Sequence, residues 1–200
     1  MTIGVIGDIH GNLLALESAI LQLEKKNVTE IVCLGDIIDG GGFDSECIEL
    51  IRANGIQSVR GNHDEIHDCW ISAEHQEWLN QLPLKLEISG WLFSHYNPRL
   101  VEEKVNNSSV AAYAFQFAEF TKACVGHSHL CALYSHKSEW GFESSPCQFE
   151  ENIYELDPCL RYLFVNPSLA YSRDGFPHPR CSIISDHSIE IVNIDASLLT

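Results

Sequence analysis

Seven side chains able to ligate a metal stand just beyond short apolar runs. They are Asp8 and His10 in GDIH, Asp36 in GDIID, Asn62 in GNHD, His95 in FSHYNP, and His127 and His129 in GHSH. The preceding runs, IGVIG, IVCLG, IQSVRG, WLFS and KACVG, read as strands. A strand is a rigid element, and the turn after it delivers a side chain to a fixed point. Several such turns meeting at one sheet edge would build a site for two metal ions. The donors are carboxylate, imidazole and amide oxygen with no thiolate, which suits Mn²⁺ first, with Fe, Zn, Ni or Mg as alternatives.

A dinuclear pair lies about 3.5–4 Å apart and needs a bridging anion. Asp36, following the small Gly35, is the natural bridge. Two divalent ions bring about +4, and Asp8, Asp36 and a bridging hydroxide remove about 3, so a net positive site is left for phosphate oxygens. Metal coordination also lowers the pKa of water to roughly 7, making hydroxide available at neutral pH. His63 and Asp64 adjoin Asn62. His63 is the candidate to protonate a leaving alkoxide, a role worth about 10²–10⁴-fold, and Asp64 the candidate to orient it.

The elements that must position these groups follow from periodicity. Residues 3–7, 30–34 and 56–59 read as strands, with helices over 12–26 and 44–53 between them. Asn12 is a plausible N-cap for the first helix. This alternation is the pattern of a parallel sheet with crossover helices. The second half reads as a helix over 74–81, paired strands 84–88 and 91–95, a helix over 108–120 and a strand at 122–125. Strands near 130–135, 152–156, 161–165, 181–185 and 188–194 complete it. Residues 136–150, with Pro146, Trp140 and Phe142, read as a long loop. An α/β domain spanning residues 1–200 with two sheets fits best.

Composition narrows the function. Two hundred residues suffice for one domain with a substantial core. The net charge of −16 argues against nucleic acid or an anionic membrane as partner. A small phosphate ester stays possible because metal ions supply positive charge locally. No apolar stretch approaches the roughly 20 residues that span a bilayer. The N-terminus has no basic region before its first strand, so a cytoplasmic location is expected. The eight cysteines include no C-x-x-C pair and are expected to be free thiols.

In their order, D-x-H, G-D-x-x-D, G-N-H-D, a lone His after a strand and G-H-x-H resemble the calcineurin-like metallophosphoesterases. The tail RYLFVNPS…SRDG is similar to that of small bacterial and archaeal members, so the resemblance runs from Asp8 to about Gly175. It implies a four-layer α-β-β-α sandwich with two mixed sheets. It also implies one metal held by Asp8, His10 and His129 and another by Asn62, His95 and His127, with Asp36 shared. His63 would be the acid. The implied reaction is hydrolysis of a phosphate di- or monoester by a metal-bridging hydroxide.

Three positions depart from the family pattern. Gly40 stands where protein phosphatases and symmetrical diadenosine-tetraphosphate hydrolases carry Arg. Tyr96 replaces the Gly usual after the lone His. Asn166-Pro167 runs into Ser168 without the usual Gly. Arg99 and Arg173 are the candidates to replace the lost cation. A catalytically weak scaffold on this fold, as in a retromer subunit, is the competing reading. A protein or dinucleoside-polyphosphate phosphatase is a further alternative, the protein phosphatase being disfavoured by Gly40, and the charge disfavours a nuclease. Asp39 reads as a turn or supporting residue, and His67, His75, His136, His178 and His187 as surface residues.

Overall fold

The computed structural model describes residues 1–137, 145–147 and 152–194, the middle segment by its backbone. The first half runs β1 (Ile3–Ile6), α1 (Leu13–Lys25), β2 (Glu30–Cys33), α2 (Asp44–Ala53), β3 (Gln57–Ser58), α3 (Asn62–Glu65) and α4 (Ala73–Gln81). Then come β4 (Lys85–Ile88), β5 (Trp91–Ser94), α5 (Ser108–Phe117), β6 (Lys122–Val125) and β7 (Ala132–His136). The chain continues through β8 (Ser145–Cys147), β9 (Ile153–Glu155), β10 (Arg161–Val165), β11 (Arg180–Ile184) and β12 (Ser188–Asn193).

Two six-stranded sheets form, ordered β3-β2-β1-β11-β12-β9 and β4-β5-β6-β10-β7-β8. Both are mixed. In the first, β1, β2 and β3 run parallel and β11, β12 and β9 pair antiparallel. In the second, β5, β6 and β10 run parallel, flanked by antiparallel β4, β7 and β8.

Strand alternation sorts side chains into three apolar layers. Val5, Val32, Phe93, Cys124 and Phe164 meet between the sheets. Ile6 and Cys33 face the other way, onto Leu16, Ile20 and Leu23 of α1 and Ile48 and Ile51 of α2. On the far side Leu92, Ala123 and Leu163 pack under Ala111, Ala114 and Phe115 of α5. Helix, sheet, sheet, helix is the four-layer sandwich expected from the resemblance. Asn12 caps α1, its Oδ1 accepting from the N–H of Ala15 at 3.2 Å, and its amide also donates to the Leu169 carbonyl.

Several boundaries differ from the sequence reading. The helix expected over 108–120 stops at Phe117, because Arg161 captures the carbonyls of Phe115, Ala118 and Phe120 at 2.8–3.1 Å. The segment read as a loop holds strand β8, which pairs with β7 at the sheet edge. Pro146 obscured it, since proline lacks a ladder donor and is confined to edges. Trp140 and Phe142 lie outside the described residues. His136 is buried and stacked on Phe115 rather than at the surface, and His67 and His75 are half-buried. The seven cysteines with described side chains are unpaired. Among the described residues no helix is long and apolar enough to cross a membrane.

Candidate metal centre

The parallel strands of both sheets end at one edge of the sandwich. There β1 releases Asp8 and His10, β2 Asp36, β3 Asn62 and His63, β5 His95, and β6 His127 and His129. The carboxyl ends of parallel strands are the general ligand-binding edge of α/β sheets. The two sheets are tied together at this point, where the N–H of His127 donates to Asp8 Oδ1 at 3.0 Å. Gly126 donates to the His95 carbonyl, and Ser168 Oγ to the Asp8 carbonyl at 2.9 Å. The Asn166-Pro167 turn is held as well: Asn166 N–H bonds the Val125 carbonyl, and Ser182 Oγ donates to Asn166 Oδ1 at 2.6 Å.

All the turns are tight, and many are strained. Asp8, His10, Asp36, Asp39, His127 and His129 have φ between +48° and +75°, in the left-handed region. Each such non-glycine residue costs on the order of 1–3 kcal/mol, which the surrounding structure must override. Glycine serves where backbones touch: a Cβ on Gly61 would collide with Asp36, and one on Gly35 with Gly61.

Two groups of ligand atoms result, each within 4.8 Å: Asp8, His10, Asp36 and His129, and Asp36, His95 and His127. Asp36 belongs to both. Its Oδ2 lies 3.2 Å from His95 Nε2 and 3.7 Å from His10 Nε2. Asn62 Oδ1 lies 3.1 Å from His95 Nε2, beside the second group. All seven side chains expected as ligands are therefore brought together, six buried and Asn62 half-buried.

The imidazoles turn ring nitrogens toward one another. Nδ1 of His10, His95 and His129 donates to the carbonyls of Asp39, Leu34 and Tyr171 at 2.7–3.0 Å. A carbonyl can only accept, so a ring proton sits on Nδ1 and Nε2 points inward, a lone pair on His10 and His129 and the seat of a second proton on His95 beside Asp36. Nε2 of His10 and of His129 nevertheless stand 3.2 Å apart, as do His95 Nε2 and His127 Nδ1. Ring nitrogens this close are held by a cation between them, a proton or a metal ion. The donor set and the carbonyls that fix each ring orientation fit divalent ions.

Protonation follows the same geometry. Burial pushes His127 down to about 3 and His129 to about 4, and lowers His10. Burial raises Asp8 to about 7, with the Asp36 charge adding to it against the pull of His95. Burial also opposes charge on Asp36 and on His95, but their mutual attraction wins. Asp36 stays below the usual carboxylate range, while His95 rises to about 9.

His63 and Asp64 separate in space. Asp64 is fully buried and accepts from the N–H groups of Asp36, Ile37 and Gly61 at 2.8–2.9 Å. It does not orient His63, because all its bonds go to backbone that shapes the Asp36 and Asn62 turns. The partner of His63 is Asp39, Oδ2 to Nδ1 at 2.7 Å. The second Asp of G-D-x-x-D carried that signal, but adjacency in sequence pointed to Asp64. Of the two arginines, Arg99 is bound by Glu103 at 3.0 Å and lies over Tyr113. Arg173 lies over the ring of Tyr171, which itself packs on His129 with centroids 4.4 Å apart. Tyr96 is buried, edge-on to His95 and His127 at 4.9 and 5.1 Å, and walls that side.

A larger cleft of about 940 Å³ lies at the opposite edge, by Trp91, Lys122 and Arg161. Its cations are committed, Arg161 to three carbonyls and Lys122 to Asp186 at 2.7 Å.

Comparison with known proteins agrees with this architecture. The model of the calcineurin-like phosphoesterase family matches residues 1–131. An uncharacterized protein of Methanocaldococcus jannaschii, MJ0912, is 31% identical over 96% of this chain and 87% of its own. A metallophosphoesterase from Sphaerobacter thermophilus superposes with a TM-score of 0.84 at 26% identity, covering 98% of this chain and 89% of that one. A structure described as a novel archaeal phosphodiesterase shares the fold, with a TM-score of 0.57 at 16% identity over 97% of this chain and 100% of that one. The chain belongs to the calcineurin-like phosphoesterase family.

Proposed function

We propose that this chain, acting as one domain, is a dinuclear-metal hydrolase of small phosphate di- or monoesters. The observation that carries the reading is the pair of inward-facing nitrogen contacts, His10 with His129 and His95 with His127, sharing Asp36. Asp8, His10, Asp36 and His129 would hold one ion, and Asp36, Asn62, His95 and His127 the other. Mn²⁺ is the first choice, with Fe, Zn, Ni or Mg as alternatives. When bound, the two ions would supply Lewis acidity and hydroxide at neutral pH.

The chain's own groups do the rest. Asp39 takes one ring nitrogen of His63, which leaves Nε2 to give a proton to the departing alkoxide. Asp64 holds the Asp36 and Gly61 backbone in place and touches no substrate. Arg173 lies over Tyr171, which packs on His129, and would steady a phosphoryl oxygen. Unpaired thiols fit a reducing compartment, so action in the cytoplasm is inferred.

The test is metal reconstitution followed by assay against bis-p-nitrophenyl phosphate, p-nitrophenyl phosphate, cyclic nucleotides and dinucleoside polyphosphates. Two ions per chain with turnover are expected. No stoichiometric metal and no turnover would favour the binding scaffold.

A further inference from the structure

A second cleft, of about 300 Å³, opens directly beside His10. Its walls are Leu14 at the start of α1, Gly40 and Gly41 of the loop after β2, Phe43, and Ala170 and Tyr171. Leu14, Phe43 and Tyr171 are 48%, 52% and 52% exposed, so three large apolar side chains are spent on one opening. Single exposed apolar residues need no explanation, but a contiguous concave set marks a binding surface. No Lys, Arg, Asp or Glu is among the described residues lining it.

From this geometry we infer that the cleft receives an aromatic ring carried by the phosphate ester; the inference rests on the phosphoesterase reading above. Its volume is at the low end for small-molecule clefts, which span about 300–1,000 Å³, and it suits one ring system rather than a peptide or polymer. No charged side chain among the described residues lines the cleft itself, and the nearby Arg173 lies over Tyr171. Phe43 and Tyr171 present ring faces and edges of the kind that aromatic partners prefer. Tyr171 links the cleft to the metal centre, since its ring packs on His129 and lies 5.9 Å from that of His10. A ring in the cleft is thus joined to a phosphoryl group at the ligands through a short connection.

Glycine lets the loop after β2 close against the segment that leads into α1 and so forms this wall. A Cβ on Gly41 would run into the backbone of Gly11 and Asn12, and one on Gly40 would stand 3.1 Å from His10 Cβ.

Calorimetry on the Mn²⁺-loaded protein with benzylphosphonate and methylphosphonate tests this. The two probes carry the same anion and differ in the ring. The benzyl compound is expected to bind roughly tenfold or more tightly, as added apolar groups do in a fitted pocket. Phe43→Ala is expected to reduce that ratio, and so is Leu14→Glu, an exposed first-turn change that α1 tolerates. Equal affinities in the wild type, no affinity for either probe, or a ratio unmoved by both variants would overturn the assignment. A parallel assay compares 2-phenylethyl phosphate with methyl phosphate, both alkyl esters. No turnover of either, nor of the di- and monoesters assayed above, with the benzylphosphonate advantage intact, would remove the hydrolase reading and leave the cleft assigned.

Discussion

Asp39 holds two histidines at once. Its Oδ2 lies 2.7 Å from Nδ1 of His63, and its main-chain carbonyl accepts from Nδ1 of His10 at 3.0 Å. One residue in a left-handed turn, φ +75°, thereby fixes a proposed metal ligand through its backbone and the proposed acid through its side chain.

His63→Ala is expected to keep both metals and lower turnover by roughly 10²–10⁴-fold, the range for a general acid. The loss should shrink for p-nitrophenyl esters, whose leaving anion needs little protonation, and be largest for alkyl esters. Rates across leaving groups of graded pKa check it, and an equal loss for all would show that His63 acts by binding substrate or water. Asp39→Asn leaves the carbonyl on His10, so it should give the same leaving-group trend at smaller amplitude.

Asp36→Asn is expected to weaken both metals together, because this carboxylate belongs to both ligand groups. Elemental analysis and calorimetric titration read the stoichiometry. Retention of one ion at full affinity would show that Asp36 serves a single site.

Asp64→Ala removes the acceptor of three buried N–H groups, those of Asp36, Ile37 and Gly61. Each orphaned donor costs about 1–3 kcal/mol, so a destabilisation of at least about 3 kcal/mol is expected. Urea unfolding measures it. A change under 1 kcal/mol on that scale would mean that the backbone finds other acceptors.

The chelated protein is expected to lose stability as pH rises from 6.5 to about 9. His95 holds its proton in the fold up to about 9, mainly through Asp36, although burial opposes it. The unfolded imidazole loses its proton near the ordinary value of 6.5. A raised folded pKa gives stability that is complete below the unfolded value and disappears as pH passes the folded one. Asp8, raised to about 7 by burial, changes in the same direction at the lower end of the window. Mn²⁺ bound as proposed would take the proton's place on His95, so the loss should flatten. Calorimetric melting at pH 6.5 and 9, with chelator and with Mn²⁺, decides it, and identical slopes would exclude His95 as the linked group.

The grouping of the candidate ligands was legible in the sequence because each comes shortly after a strand. Local apolar periodicity located β1, β2, β5 and β6 to within a residue or two, and the ligand types after them specified hard-metal chemistry. Local signals are blunter where the determining partner is distant. The end of α5 is set by Arg161, more than 40 residues on, and β8 exists only because β7 offers it an edge.

The sequence by itself determined which residues are candidates to carry chemistry and in what order the chain presents them, since strand, turn and donor type are properties of a few neighbouring residues. Only the tertiary structure decided which groups meet. Asp64, beside His63 in the chain, turns inward to backbone N–H groups, while Asp39, 24 residues away, supplies the carboxylate. The neutral cleft at Leu14, Phe43 and Tyr171 joins residues from three separate segments. The reason is physical: a side chain's neighbours in space are set by how strands stack and how their turns close, and sequence separation carries no measure of that distance.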